Sequence, residues 1–322
     1  MLWNVNNLTN EEFSKIHFIN SLQSFYNIPN FENLYIQRNW NYHLLIYGDK
    51  NNIISFSKLY FKKIFGFNFC YLPGGIEGKI SEVILNDLYK FIKFKFGIFS
   101  IIFLKLYQNK IDKIPAQYLK IKNLHEAKMV MKKDLNELDD LKKSYSKNWR
   151  HNYNRSKNNK FYLITNNNPN FNELSSMYLE MSSIKKRNLI IRKEYIENIF
   201  KIMRNNIFHI EAYADNQIIA FRSVIYFKNA SWDLFACSNS DSKKNYSTYQ
   251  IMHKMFECLI KNKIKIFDFS GVDKKNNIGV YNFKKGAGGM EYKVLGELTA
   301  SPIIFIKYLL LVLVFVKRLA RH

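Results

Sequence analysis

The chain has 322 residues, 47% hydrophobic and 16% aromatic, which is ample for a packed core in one large domain or two ordinary ones and excludes a disordered chain. Its 49 Lys and Arg against 26 Asp and Glu leave a net charge of +23, a balance that draws tRNA, nucleotide phosphates or anionic lipid and that AT-rich coding also produces. Cys70, Cys237 and Cys258 are odd in number, far apart and without CxxC spacing, which speaks against a disulfide framework or a thiolate zinc site and fits a reducing cytoplasm.

From Met1 to Phe13 the chain is polar, with no basic stretch leading into an apolar one, so no signal peptide is expected. Leu44 to Tyr47 and Ile53 to Phe61 are apolar runs around an Asp/Asn-rich turn, which predicts a β-hairpin. Phe69 to Leu72 reads as a strand that leads into Pro73, Gly74, Gly75 and Gly78. A helix follows, with Val83, Ile84, Leu88, Phe91 and Ile92 at helical spacing, then a strand over Ile101 to Leu106.

The middle of the chain is charged and helical. Leu135, Leu138 and Leu141 form an apolar stripe, and Ser144 to Asn159 carries Trp149, Arg150, Tyr153, Arg155 and Lys157. By itself such an element is a low-specificity phosphate or nucleic-acid contact, or a solvated basic helix. His151 lies in it and is the one histidine to watch; His209 reads as packed in a strand.

The first plan then recurs. Tyr213, Ala214 and Asp215 repeat Tyr47, Gly48 and Asp49 at an offset of 166 residues, between apolar runs at Phe208 to Tyr213 and Ile218 to Phe227. Trp232 to Phe235, a helix through Tyr249, Met252, Phe256 and Leu259, and a strand over Ile264 to Phe269 keep step. A strand, hairpin, strand, helix and strand used twice predicts a mixed α/β (α+β) fold in two tandem domains, over residues 1–125 and 126–300. The order resembles the GNAT acyltransferase fold.

Ile266-Phe267-Asp268-Phe269-Ser270-Gly271 reads as a strand ending at an acidic residue and a glycine. Gly279 to Gly289 reads as an aromatic, lysine-bearing turn and a flexible glycine run, a way to present cations to an anionic group. Phe283-Lys284-Lys285-Gly286-x-Gly288-Gly289 after Asp268-Phe269-x-Gly271 resembles the closing motif of the FemABX peptidyltransferases, which add amino acids to peptidoglycan precursors and consist of two GNAT-like halves.

That resemblance implies aminoacyl transfer without a cofactor, from aminoacyl-tRNA as co-substrate to a UDP- or lipid-linked cell-envelope precursor. It makes Lys284 and Phe283 the catalytic pair, with the ammonium stabilising charge on the tetrahedral carbon's oxygen. Tyr281 and Lys285 would position phosphate or carboxylate, and Asp268 would orient the acceptor amine or end its strand. Asn148, Trp149, Arg150 and Arg155 fit the family's basic helix, with Trp149, Arg150 and Arg155 as substrate-binding residues. Ala287 stands where the family usually has an aromatic, and Asn282 where it often has Arg.

No HExxH, GxSxG, P-loop or GxGxxG occurs, and no metal site is expected. A coenzyme A pyrophosphate needs a glycine-bearing loop opening a helix. Ala236 to Thr248, the matching stretch of the second half, has no glycine, and the first half lacks the usual Arg/Gln-x-x-Gly-x-Gly/Ala order, in keeping with a tRNA-borne donor. Two other readings stand beside this one: a GNAT-type N-acyltransferase acting on a sugar or nucleotide-sugar of a surface polysaccharide with acyl-CoA, and a non-catalytic RNA- or membrane-binding protein. Finally, Ile303 to Val316 follows Ser301 and Pro302, is broken by Lys307, and falls short of the about 20 apolar residues of a bilayer span. It predicts a C-terminal helix over 301–322 that packs on the body or lies on the membrane, and hence a cytoplasmic protein with peripheral contact at the inner face of the membrane.

Overall fold

The computed structural model describes residues 2–308 except 17, 109, 122–128, 136, 185–190, 276 and 307. It forms two compact units, Met1–Met129 with Lys293–His322, and Val130–Tyr292.

The first unit begins with β1 (Trp3–Asn6), α1 (Asn10–Ser14) and α2 (Asn33–Ile36). The expected hairpin follows as β2 (Asn41–Gly48) and β3 (Ile53–Ile64), whose turn is closed by the Asp49 carboxylate accepting from the Asn51 and Asn52 amides. Next come β4 (Phe67–Leu72), β5 (Glu77–Gly78), α3 (Glu82–Phe96), β6 (Ser100–Leu106) and β7 (Tyr118–Ile121). Ser81 caps α3 by accepting from the Ile84 amide, and Gly97, at φ 78°, ends it. Ile84, Leu85, Leu88 and Ile92 lie on one face of α3 and pack with Leu45, Leu59, Leu72, Ile102 and Leu104 of the sheet.

The second unit contains β8 (Met129–Asp134), α4 (Leu138–Leu141), α5 (Lys147–Ser156), β9 (Tyr162–Thr165), α6 (Phe171–Ile184) and α7 (Lys193–Ile202). The repeated plan then appears as the hairpin β10 (Ile207–Ala214) and β11 (Gln217–Phe227), followed by β12 (Ala230–Ser238), α8 (Ser240–Asn245), α9 (Ser247–Lys261) and β13 (Ile266–Gly271). Asp215 and Asn216, at φ 49° and 60°, make the two-residue turn that such a hairpin prefers. α10 (Ile278–Gly286) and β14 (Met290–Lys293) complete the unit, with sheet order β14-β8-β13-β12-β11-β10-β9. Ile251, Met252, Met255, Phe256 and Leu259 form the buried face of α9, and Phe256 meets Phe267 and Phe269 edge-on at 5.3 and 6.0 Å.

Two differences from the sequence reading concern boundaries and local form. The sequence places the end of the second half at residue 300, but β15 (Gly296–Ala300) lies in the first unit's sheet, antiparallel to β6 and β7, giving the order β1-β2-β3-β4-β6-β15-β7 with β5 on β3. The Gly279 to Gly289 stretch, expected as a turn, is mainly helix α10. Helical backbone resumes at Ile304–Ile306, and residues 309–322 of the expected C-terminal helix lie outside the described residues. Among the described residues no helix is long and apolar enough to cross a membrane.

Candidate active site

The site is built where two strands of the second unit part. β12 and β13 run parallel and pair at Ala230↔Ile266, Ser231↔Phe267 and Trp232↔Asp268, and no further. On its other side β13 pairs with β8 at Asp268↔Lys132 and next at Gly271↔Val130, so Phe269 and Ser270 form a bulge. Ser270 sits at φ 63°, its amide donating to Asp268 Oδ1 at 2.7 Å and its hydroxyl to the Asp233 carbonyl at 3.1 Å. The bulge frees main-chain carbonyls of β13 from the sheet ladder, and buried carbonyls need other donors.

Lys284 supplies them. It is buried on the inner face of α10, and its ammonium donates to the Phe269 carbonyl at 2.5 Å and to the Gly271 carbonyl at 2.9 Å. Among the described residues no carboxylate lies within ion-pair distance of it, so its charge is held by dipoles and one of its three N–H bonds is left over. Burial pushes its pKa below the ordinary lysine value; Asp233 and Asp268 oppose that shift and Arg222 adds to it.

Phe283, the residue before Lys284 on α10, belongs to an aromatic cluster. Phe283 packs against Trp149 of α5 at 5.9 Å and edge-on against Tyr249 of α9 at 5.2 Å, and the Arg222 guanidinium lies 5.6 Å from its ring centre. Trp149 also touches Tyr249 and Tyr145, at 5.1 and 4.0 Å. It is buried, and its indole N–H has no hydrogen-bond partner. Asn152 fixes the Tyr249 hydroxyl at 3.0 Å.

α10 owes its position to close packing rather than to helix propensity. A Cβ on Gly286 would stand 3.0 Å from both Ser146 Oγ and Trp149 Cδ1, and one on Gly288, at φ 90°, would stand 2.5 Å from Lys133 Nζ. The run expected to be flexible is therefore a close approach of backbone to α5 and β8. Lys133 is itself buried, donating to Ser144 Oγ at 2.6 Å beside the faces of Tyr145 and Phe256; burial lowers its pKa to about 8, against the pull of Asp134.

The expected site residues thus separate into four groups. Phe283 and Trp149 pack together, while the neighbouring Lys284 turns to the Phe269 and Gly271 carbonyls. Asp268 is buried behind them, holding the bulge and lying 3.8 Å from Lys132. Tyr281 and Lys285 lie elsewhere on α10: the buried Tyr281 hydroxyl donates to Glu291, and Lys285 donates to that hydroxyl at 3.3 Å and lies 3.7 Å from Glu291. Arg150 and Arg155 are exposed on α5, the first donating to the Tyr145 carbonyl and the second stacked on Tyr246 at 4.6 Å.

Sequence reasoning passed over Arg222 and Asp233. They form a buried ion pair at 2.6 Å next to the splay, and Asp233 Oδ1 is left without a partner. The signal was present: one arginine in the apolar run Ile218 to Phe227 and one aspartate between Trp232 and Leu234, on adjacent strands. His209 also acquires partners, Ser223 Oγ at 2.7 Å and Glu211 Oε1 at 3.1 Å. All three are fully buried in the sheet, so this chain of a hydroxyl, an imidazole and a carboxylate has no access to substrate. His151 is exposed on α5.

No coenzyme-type loop opens α9. α8 intervenes between β12 and α9, with Asn239 accepting from the Asp241 and Ser242 amides at its start, and Ser242 and Ser247 bonded to each other at 2.7 Å in the interior.

A model of the FemAB family matches residues 164–314, a stretch that includes α10 and leaves out α5. The crystal structure of FemX aligns at 14% identity over 94% of this chain and 97% of its own, with a TM-score of 0.69. The fold is thus shared with FemX, and the FemAB family model matches within the second half of the chain. A tandem GNAT protein from the clavulanic acid biosynthesis pathway aligns at 9% identity, covering 82% of this chain and 84% of its own, with a TM-score of 0.51. L-PGS from Bacillus licheniformis aligns at 13% identity over 89% and 97%, with a TM-score of 0.50. No curated protein matches the chain by sequence.

Proposed function

We propose that the chain passes an amino acid from aminoacyl-tRNA to an amine of a UDP- or lipid-linked cell-envelope precursor, as the FemABX resemblance implies. The observation that carries this reading is the Lys284 ammonium, fixed by the Phe269 and Gly271 carbonyls where β12 and β13 part, with no carboxylate neutralising it at contact distance. The donor ester is already activated, so no covalent enzyme intermediate is needed. The acceptor amine attacks the ester carbonyl and forms the C–N bond, and the C–O bond to the tRNA ribose breaks. The amine's proton leaves, and the ribose oxygen departs as a hydroxyl.

Lys284 stabilises the oxygen of the tetrahedral carbon. Its two carbonyl contacts hold it in place before reaction, so little reorganisation is needed as charge develops. The ammonium is buried, and exclusion of water strengthens its action; Phe283 packs with Trp149 and Tyr249 and so seats α10. The exposed Arg150 and Arg155 meet the tRNA backbone. Asp268 supports the bulge and thereby the carbonyls that orient Lys284, in place of a direct contact with the acceptor.

The test is an assay of purified protein with charged tRNA and lipid- or UDP-linked muropeptide, followed by mass spectrometry of the product. Amino acid addition by the wild type, and its loss in Lys284→Ala, is the expected result. Absence of transfer above that control, together with tight acetyl-CoA binding by calorimetry, overturns it in favour of an acyl-CoA donor.

A further inference from the structure

At one tip of the first unit the chain exposes aromatic side chains that neither local backbone preference nor the core requires. Ile64 pairs with Phe67 across a two-residue turn, Phe65-Gly66, at φ 49° and 83°. Such turns favour Asn or Asp followed by Gly, and a bulky residue in the left-handed region is strained. Phe65 nonetheless holds this position with 96% of its surface exposed. Beside it is the connection from α3 to β6: the Asn68 amide donates to the Phe99 carbonyl at 3.0 Å, and the Asn68 side chain to the Phe96 carbonyl at 2.7 Å. The last turn of α3 exposes Phe94, at 93%, and the connection exposes Ile98 and Phe99.

The rim of this tip is cationic. Lys63, Lys93 and Lys95 are exposed and have no ion-pair partner among the described residues. No acidic residue occurs between Asp49 and Glu77, or from Leu88 to Ile111. The corresponding tip of the second unit provides an internal control. There the turn between β11 and β12 is Lys228-Asn229, with Lys228 at φ 52°, and α9 ends in exposed Lys261, Asn262 and Lys263. The same fold position is therefore satisfied by polar residues in one unit and carries strained, exposed phenylalanine in the other.

We propose that the tip of the first unit, formed by the β3–β4 turn and the α3–β6 connection, docks on an anionic lipid bilayer. Phe65, Phe94, Ile98 and Phe99 enter the boundary between headgroups and acyl chains, while Lys63, Lys93 and Lys95 meet lipid phosphates. Aromatic residues flanked by lysine suit that interface, because the rings are buried at headgroup depth while the lysine stems extend to the charged layer. The lysines add an attraction that falls with added salt and rises with the fraction of anionic lipid.

The test is co-sedimentation of the full chain with vesicles of equal parts phosphatidylglycerol and phosphatidylethanolamine, against phosphatidylcholine alone. The wild type should sediment with the anionic vesicles. Phe65→Asn combined with Phe94→Ser should lower partitioning on the order of tenfold, and Lys93→Glu combined with Lys95→Glu should do so by a similar factor for anionic vesicles only. Phe65→Asn places the favoured residue in the turn, so an unfolding midpoint at or above that of the wild type shows that lost binding is not lost folding. Three results overturn the proposal: no binding by the wild type, binding unchanged in both double variants, or loss in those variants of a self-association measured by sedimentation velocity without vesicles.

Discussion

In the first unit the parallel strands β4 and β6 remain paired from Asn68↔Ser100 to Leu72↔Leu104, and β6 is paired again by β15 along its other edge. In the second unit the equivalent β12 and β13 separate after Trp232↔Asp268, and the carbonyls of Phe269 and Gly271 turn to Lys284. The same plan thus yields a closed core in one unit and an open seam in the other. A buried cation can be positioned by main-chain groups that a sheet has released, with no carboxylate at ion-pair distance among the described residues.

The units also differ in how they bury other charges, and variants can sharpen that contrast. Arg222→Ala leaves Asp233 buried and unpaired and should cost about 3 to 5 kcal/mol in urea unfolding; it should also slow transfer, because Phe283 loses the cation on its face. Lys58→Met in the first unit breaks the buried contact with Glu32, at 2.5 Å. It should cost a similar amount while leaving kcat of the folded protein unchanged. Equal kinetic effects of the two substitutions would erase the distinction between the units.

A smaller effect concerns Lys133, which lacks the carboxylate that Lys58 has. Its folded pKa, lowered to about 8, lies below that of the unfolded chain. Between about pH 8 and 10.4 the unfolded state binds the extra proton. This group's contribution to stability is therefore full above that window and lost as pH falls through it, by up to about 3 kcal/mol. Lys133→Met should flatten the pH dependence of unfolding over that range. Smallest is Gly288→Ala, at about 2 kcal/mol, since the Lys133 ammonium can shift but the left-handed backbone at this position cannot; thermal unfolding measures it.

What could be read from the sequence was local. The hairpins were legible because Asp49 and Asp215 mark turns between alternating runs, and α3 and α9 because their apolar residues recur at helical spacing over 15 residues each. α10 was not, since Gly279 and Gly286 lower its intrinsic helicity and its form depends on burying Tyr281 and Lys284 and on seating Gly286 against Trp149. β15 was misplaced because its partners, β6 and β7, lie far off in sequence.

The site was half legible on the same grounds. The motif drew attention to Lys284, but Lys285, one residue on, faces another way and with Tyr281, four residues before it, turns to Glu291. The Arg222–Asp233 pair is a product of strand register, which residue type alone does not reveal.

The central claim is that Lys284 acts on the reacting oxygen and not merely on the fold. Single-turnover transfer from pre-bound aminoacyl-tRNA to the acceptor, in wild type and Lys284→Ala, tests it most directly. The account predicts a rate lower by roughly 10² to 10³, with donor affinity unchanged. An unchanged rate, or a lost affinity with the rate intact, would contradict it.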